Sequence, residues 1–420
     1  MRIAEWIEGL LGPDLPIRFE AYDGSATGAP DAPATVEVRS PDALNRVVFA
    51  PSGEIGFARA YVAGDLVLHG DINALFQVRD RLPDVTVKPR QVLDLARILG
   101  RNARRLPPPP EEARGTGRLH SPLRDRKAVS HHYDVSNRFY ELVLDPSMTY
   151  SCAVFEHPDD DLHTAQAAKH ELTLRKLALE PGMRHLDIGC GWGAHVIHAA
   201  RHFGVHSVGV TLSQAQYDLA RKKVAEAGLS DMVEIRLQDY RDIDDGPYDA
   251  ISSIGMFEHV GIDNTGVFLD KVHDLLVPGG RAVLHSITTR RPSKPPWFRP
   301  DFIRAYIFPD GELQPIGDIA DAMQLHGFDV QHIESLSQHY GPTLHRWHHN
   351  MEANWDEAVA EVGDNRARLW RLYLAGCAFN FDEGRILVHQ VLATRSHDDG
   401  HHSFPFRPDW DPSNLQRFGG

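Results

Sequence analysis

The residues best suited to chemistry begin at His185-Leu-Asp-Ile-Gly-Cys-Gly-Trp-Gly193, a short apolar run that breaks into alternate glycines and leads into a helix-forming stretch. Glycine at 189, 191 and 193 lets the backbone approach a ligand with no Cβ in the way. The spacing differs from the Gly-x-Gly-x-x-Gly of dinucleotide binders, and an acid, Asp187, stands just ahead of the first glycine. Further along, Glu258 and His285 each follow an apolar segment of strand length, so a parallel sheet would carry both to the carboxyl edge where the glycine loop also lies.

The elements that must position these groups are legible in outline. Apolar strands alternate with amphipathic helices from about residue 130 to 395, which predicts a mostly parallel sheet covered on both faces. Strands are expected at 185–188, 207–210, 233–237, 250–254 and 281–286, with helices at 194–202, 214–227, 265–276 and 317–325. Residues 1–100 read as a small mixed α/β domain, with an alternating run from Ala34 to Arg39, turns at Pro51-Ser-Gly and Gly64-Asp, and a helix over 91–99. Pro107 to Pro110 break any helix, so 101–127 reads as a linker, 128–395 as the catalytic domain and 396–420 as a tail.

Composition bounds the function. A chain of 420 residues with 42% hydrophobic content can bury two cores, and its net charge of -14 argues against a nucleic-acid partner. Cys152, Cys190 and Cys377 are too scattered for a disulfide framework or a metal site, and the histidine pairs at 131–132 and 348–349 lack the carboxylates a zinc centre would use, so no metal is expected. No stretch reaches the roughly 20 apolar residues of a membrane span, and the acidic start is unlike a secretory signal. A cytoplasmic protein is expected, held to the inner face of the membrane at its periphery. The linker carries eight Lys or Arg against three acids and could face anionic lipid.

Asp187 with the glycines resembles the first motif of class I methyltransferases, whose ligand is S-adenosylmethionine. After the second strand, where many of those enzymes place an acid, stands Thr211-Leu-Ser-Gln-Ala-Gln216. Together with His132-Tyr-Asp-Val-Ser-Asn137, Tyr150-Ser-Cys-Ala153, Gln238-Asp-Tyr240, Gly255-Met-Phe-Glu-His-Val-Gly261, Leu284-His-Ser-Ile287, Tyr306-Ile-Phe-Pro309, His339-Tyr340 and the segment around Cys377, the sequence from about 128 to 395 resembles the cyclopropane-fatty-acid and mycolic-acid cyclopropane synthases.

The resemblance implies a class I methyltransferase fold, Rossmann-like with helical insertions, and a homodimer. It implies methyl transfer to an alkene of an unsaturated phospholipid acyl chain, leaving a carbocation that closes to a cyclopropane when a proton is lost to bound bicarbonate. Carried over residue by residue, the bicarbonate contacts become Cys152, Glu258, His285, the Ile287 backbone and Tyr340. Cys377 matches a cysteine once described as a nucleophile. The cofactor contacts become Tyr150, Ser151, Asp187, Gly189, Cys190, Gly191, Trp192, Gly193, Thr211, Leu212, Ser213, Gln216, Gln238, Asp239 and Tyr240.

Rings at Tyr306, Phe308 and Tyr340 are candidates to steady the cation without trapping it. Trp297, Phe298 and Phe302, with Arg290, Arg291, Lys294 and Arg299, are candidates to meet the bilayer. Two other readings remain open: a lipid methyltransferase leaving a methylene or methyl branch, and a lipid-binding protein without catalysis.

Overall fold

The computed structural model describes residues 1–81, 89–113, 119–133, 135–290, 301–397, 399–401, 403–407 and 410. Of the expected bilayer contacts, Arg291, Lys294, Trp297, Phe298 and Arg299 fall outside these residues. Two compact units emerge, both discontinuous along the chain: Met1–Arg114 with Pro295–Pro309 and Trp355–Phe379, and Gly115–Lys294 with Asp310–Asn354 and Asn380–Gly420.

In the first unit, β1 (Arg18–Ala21), β2 (Ala26–Thr27), β3 (Ala34–Val38) and β4 (Leu66–Gly70) form one sheet in the order β2-β1-β3-β4. The alternating run forms β3 because Ala34, Val36 and Val38 point inward while Thr35 and Glu37 stay half-exposed. Ser40 and Ser52 cap the following helices by accepting from Asp42 N and Ile55 N. The expected helix over 91–99 runs from Pro89 to Leu99. Later segments join this unit through specific contacts. Arg59 pairs with Glu112 at 2.6 Å, Tyr306 Oη donates to the same carboxylate at 3.0 Å, and the Phe379 ring stacks 5.7 Å from Phe76. Phe302, expected at a bilayer, is instead buried with its ring 5.6 Å from Tyr306: a benzyl side chain with an aromatic neighbour to pack on goes inside.

The second unit is built on a seven-stranded sheet of β5 (Arg184–Ile188), β6 (His206–Thr211), β7 (Val233–Leu237), β8 (Tyr248–Ile254), β9 (Leu276–Thr289), β10 (Phe328–Ser335) and β11 (Ile386–Arg395). Their order is β10-β11-β9-β8-β5-β6-β7, and the five from β5 to β9 are parallel, as the sequence predicts. Beyond β9, β11 runs antiparallel to it and β10 antiparallel to β11, so β11 alone runs against the other six.

Helices cover both faces. Ile251, Leu284 and Val391 pack with Phe268, Val272 and Met323 of the Thr265–Leu275 and Ile316–Leu325 helices. Their strand neighbours Ala250, Val283 and Leu392 turn the other way, toward Leu174, Leu177 and Ala199 of the opposite layer. Two-sided burial explains why these strands read as apolar runs rather than alternations.

Phe268 shows how this core holds the functional edge. Its ring meets Tyr240 edge-on at 5.3 Å and Phe257 at 5.4 Å, and so supports two short 3-10 turns, Tyr240–Asp242 and Phe257–His259, that follow β7 and β8. Phe268→Ala should lower the free energy of unfolding by about 3–5 kcal/mol, read by urea denaturation, because the hole it leaves lies under both turns.

Candidate active site

Beyond β5 the chain turns through Gly189, Gly191 and Gly193, all with positive φ (90°, 55° and 85°), into the Ala194–Phe203 helix. At Gly189 an added Cβ would stand 2.8 Å from Met256 Cβ, so packing alone demands glycine there. At Gly191 an added Cβ would meet nothing within 4 Å, because that position faces an open cavity. Cys190 fills the space beside Gly209, where a Cβ would meet it at 2.8 Å.

The cavity walls come from every strand end on this side of β5 to β8. Asp187, Gly189, Cys190, Gly191 and Trp192 form one wall; Thr211, Leu212 and Gln216 follow β6; Gln238 and Tyr240 follow β7; Tyr150 and Ser151 close it. Gly193, Ser213 and Asp239 support the walls rather than line them. Ser213 Oγ accepts from Gln216 N and caps its helix, while Asp239 accepts from the Arg241 guanidinium at 2.7 and 2.8 Å. Where an acid could have stood after β6, Thr211 Oγ1 donates to Gln216 Oε1 at 2.7 Å.

Among the cavity residues that the sequence reading did not single out are Lys169, His170 and His195. Lys169 is 1% exposed, and its Nζ donates to Ser151 Oγ at 3.1 Å. Burial lowers its pKa to about 8, against the pull of Asp187 and Asp145. Asp187 is pushed up to about 6, also by burial, while the Ser252 hydroxyl at 2.7 Å and Lys169 work to keep it ionised. His170 and His195 are held well below the usual histidine range by burial, reinforced by the charge of Lys169. Their Nδ1 atoms lie 2.9 Å apart, and His195 Nε2 has no partner among the described residues.

A second group gathers at the ends of β8 and β9. Glu258 sits in the turn after β8, and its Oε1 accepts from Ile287 N at 2.6 Å. Burial raises its pKa to about 7, opposed by that N–H and more weakly by its own backbone N–H and the Ser286 hydroxyl. Neither Glu258 nor His285, two residues back from Ile287 along β9, lines the cavity, but the His285 carbonyl accepts at 2.8 Å from the N–H of Gly255, which does. Glu258 Oε2 and His285 Nε2 are both buried, with no hydrogen-bond partner among the described residues. The Ile287 N–H is thus spent on Glu258.

Cys152 adjoins Ser151 of the cavity wall, and its thiol donates to Ala153 O at 3.3 Å. Burial drives its pKa up, so it is a neutral thiol. Tyr340 packs 4.3 Å from Phe381 and 6.1 Å from Trp347, whose ring is in turn 5.1 Å from Tyr150. Cys377 belongs to the first unit, where burial pushes its thiol up to about 12, far from a thiolate nucleophile. Tyr306 and Phe308 are in that unit too, with Phe308 edge-on to Tyr373 at 6.2 Å.

The loop fits a nucleotide-bearing ligand, because Gly191 offers backbone to open space that a side chain would occupy. Gly191→Ala should leave the fold in place, at about 1–2 kcal/mol for its left-handed backbone, and sharply weaken S-adenosylmethionine binding by calorimetry. Unchanged affinity would remove this cradle from the site.

Comparison with known proteins agrees with this geometry. The family model described as mycolic acid cyclopropane synthetase matches residues 120–391. A probable fatty acid methyltransferase of Mycobacterium tuberculosis is 42% identical, covering 94% of this chain and 95% of its own; one from Pseudomonas putida is 38% identical, covering 96% and 97%. Among solved structures, mycolic acid cyclopropane synthase CmaA1 complexed with SAH and CTAB aligns at 37% identity and TM-score 0.61, covering 64% of this chain and 98% of its own. With a match of that extent, an open glycine cradle and a mostly parallel class I sheet, the chain belongs to the mycolic acid cyclopropane synthetase family and is an S-adenosylmethionine-dependent methyltransferase.

Proposed function

We propose that the protein transfers a one-carbon unit from S-adenosylmethionine to the cis double bond of an unsaturated phospholipid acyl chain at a membrane surface, closing a cyclopropane ring, with bound bicarbonate as the base. The observation that carries this reading is that Glu258 Oε2 and His285 Nε2 are both buried and have no hydrogen-bond partner among the described residues. Leaving each unmet costs about 1–3 kcal/mol, and a small anion with both a hydroxyl and bare oxygens would satisfy the two together.

When bound, the sulfonium supplies an electrophilic methyl and the anion a weak base. The alkene carbon would gain a bond as the S–CH3 bond breaks, and the ring would close as one methyl C–H bond breaks and its proton passes to the anion. The chain's own residues prepare this chemistry. The glycine loop and Asp187 orient the donor, and an ionised Glu258 accepts the anion's hydroxyl. His285 and Tyr340 face its other oxygens, and aromatic rings bear the passing positive charge without bonding to it.

A second reading has its own support: two relatives that align over nearly the whole chain are both named probable fatty acid methyltransferases, which fits a methylene- or methyl-branched product from the same cation. Incubation with carbon-13-methyl S-adenosylmethionine and unsaturated phospholipid vesicles, followed by proton NMR, separates the two. Shielded ring-methylene signals are expected; vinylic or methyl-doublet signals would replace the first reading with the second.

The Glu258 carboxyl titrates near 7 and must be ionised to accept a hydroxyl. At fixed bicarbonate concentration, turnover should therefore rise with pH through about 7 and level off above it. Glu258→Gln should abolish that limb and lower kcat by about 100-fold or more. A wild-type pH profile in the variant would remove Glu258 from the mechanism.

A further inference from the structure

The register of β11 against β9 sets Gln390 directly opposite His285, and both are closed off from solvent, at 0% and 2% exposure. The Gln390 amide is held at three points. Its oxygen accepts from Lys176 Nζ at 2.7 Å, and its nitrogen lies 3.0 Å from Thr173 Oγ1 and 3.1 Å from His285 Nδ1. Lys176 is itself enclosed and pairs with Glu334.

These contacts leave one consistent arrangement of protons. An ammonium group has donors and no acceptor, so it meets the amide oxygen and turns the amide NH2 toward threonine and histidine. Thr173 Oγ1 gives its proton to Lys169 O at 2.8 Å, so it accepts one amide hydrogen. The other goes to His285 Nδ1, which must then carry a lone pair. Burial, reinforced by Lys169 and Lys176, keeps the ring neutral, so its single proton resides on Nε2. That is the buried atom with no partner among the described residues.

We propose that Gln390, oriented by Lys176, is a positioning residue that locks His285 in the Nε2–H tautomer, so that the ring presents a donor to the reacting site. The inference rests on the reading that His285 meets a small anion there. Neither Gln390 nor Lys176 touches that anion; they act through the ring.

Full-length protein labelled with nitrogen-15 histidine tests this, with His285 assigned by loss of its signals in His285→Asn. Long-range proton–nitrogen correlation should show a protonated Nε2 and a bare Nδ1 in the wild type. Gln390→Glu replaces the donor with an acceptor, so the proton should move to Nδ1. Methyl incorporation should then fall by about 10–100-fold in kcat while S-adenosylmethionine affinity holds. Lys176→Met frees the amide to rotate and should give a mixture of tautomers with a smaller loss; it also serves as the test variant if Gln390→Glu does not fold.

A wild-type proton on Nδ1 overturns the inference, as does a tautomer inverted without loss of kcat. Bicarbonate depletion separates this inference from the reading beneath it. If turnover ignores depletion while the tautomer and kcat still change together, the anion is wrong and the positioning role stands. If turnover requires bicarbonate and Gln390→Glu leaves kcat intact, the positioning role falls alone.

Discussion

One constraint organises this edge of the second unit: an acid, Glu258, is taken out of water with a main-chain N–H on one of its oxygens and, among the described residues, no hydrogen-bond partner on the other. Burying an ionisable group this way is costly unless its surroundings fix it closely. The fixing is done by β9, which runs on to Thr289 while its neighbour β8 stops at Ile254. The turn bearing Glu258 folds back across the stretch of β9 that extends beyond β8 and takes the Ile287 N–H, while β11 lies along the other side and supplies Gln390. The aromatic wedge of Phe268 then holds that turn against the one carrying Tyr240, so the acid and the cofactor cavity share one support.

The helix at Leu162–Lys176 extends the same logic with unusual residues. Its buried residues are Leu162, Ala165, Gln166, Lys169, His170, Thr173, Leu174 and Lys176, so polar groups occupy much of the face where an apolar stripe would be expected. Lys169 serves the cavity through Ser151, and Lys176, two turns on, serves His285 through Gln390. Burial, with the charge of Lys169 beside His170 and of Lys169 and Lys176 near His285, keeps these histidines neutral, and a neutral imidazole can both give and take a hydrogen bond.

How much could be read from the chain follows from these physical features. The glycine loop was visible because only glycine satisfies positive φ beside Met256, and the five parallel strands were visible because burial on both faces writes continuous apolar runs. The Leu162–Lys176 helix escaped notice, since a lysine–histidine–threonine stripe looks solvated until its partners are known. β10 also stayed hidden: at the sheet edge, with Asp329, Gln331, His332 and Glu334 in it, it carries a weak hydrophobic signal. Motif resemblance picked out Glu258 and His285, but their partners, an Ile287 amide and a Gln390 side chain, depend on strand register and are not spelled by any local pattern. Ser213 and Asp239 fell in the right loops, yet their side chains are committed to capping and to Arg241.

The composition of the first unit has a consequence for how the chain can be divided. Residues beyond 300 complete its interior: Tyr306 binds the Glu112 carboxylate that also holds Arg59, Phe379 stacks on Phe76, and Arg371 donates to Leu68 O. The amino-terminal segment is therefore no detachable module. Cutting after residue 114 would strand two later stretches with their greasy faces bare and leave the excised fragment short of its own filling, so each half would be prone to clump even though the cut falls between named elements.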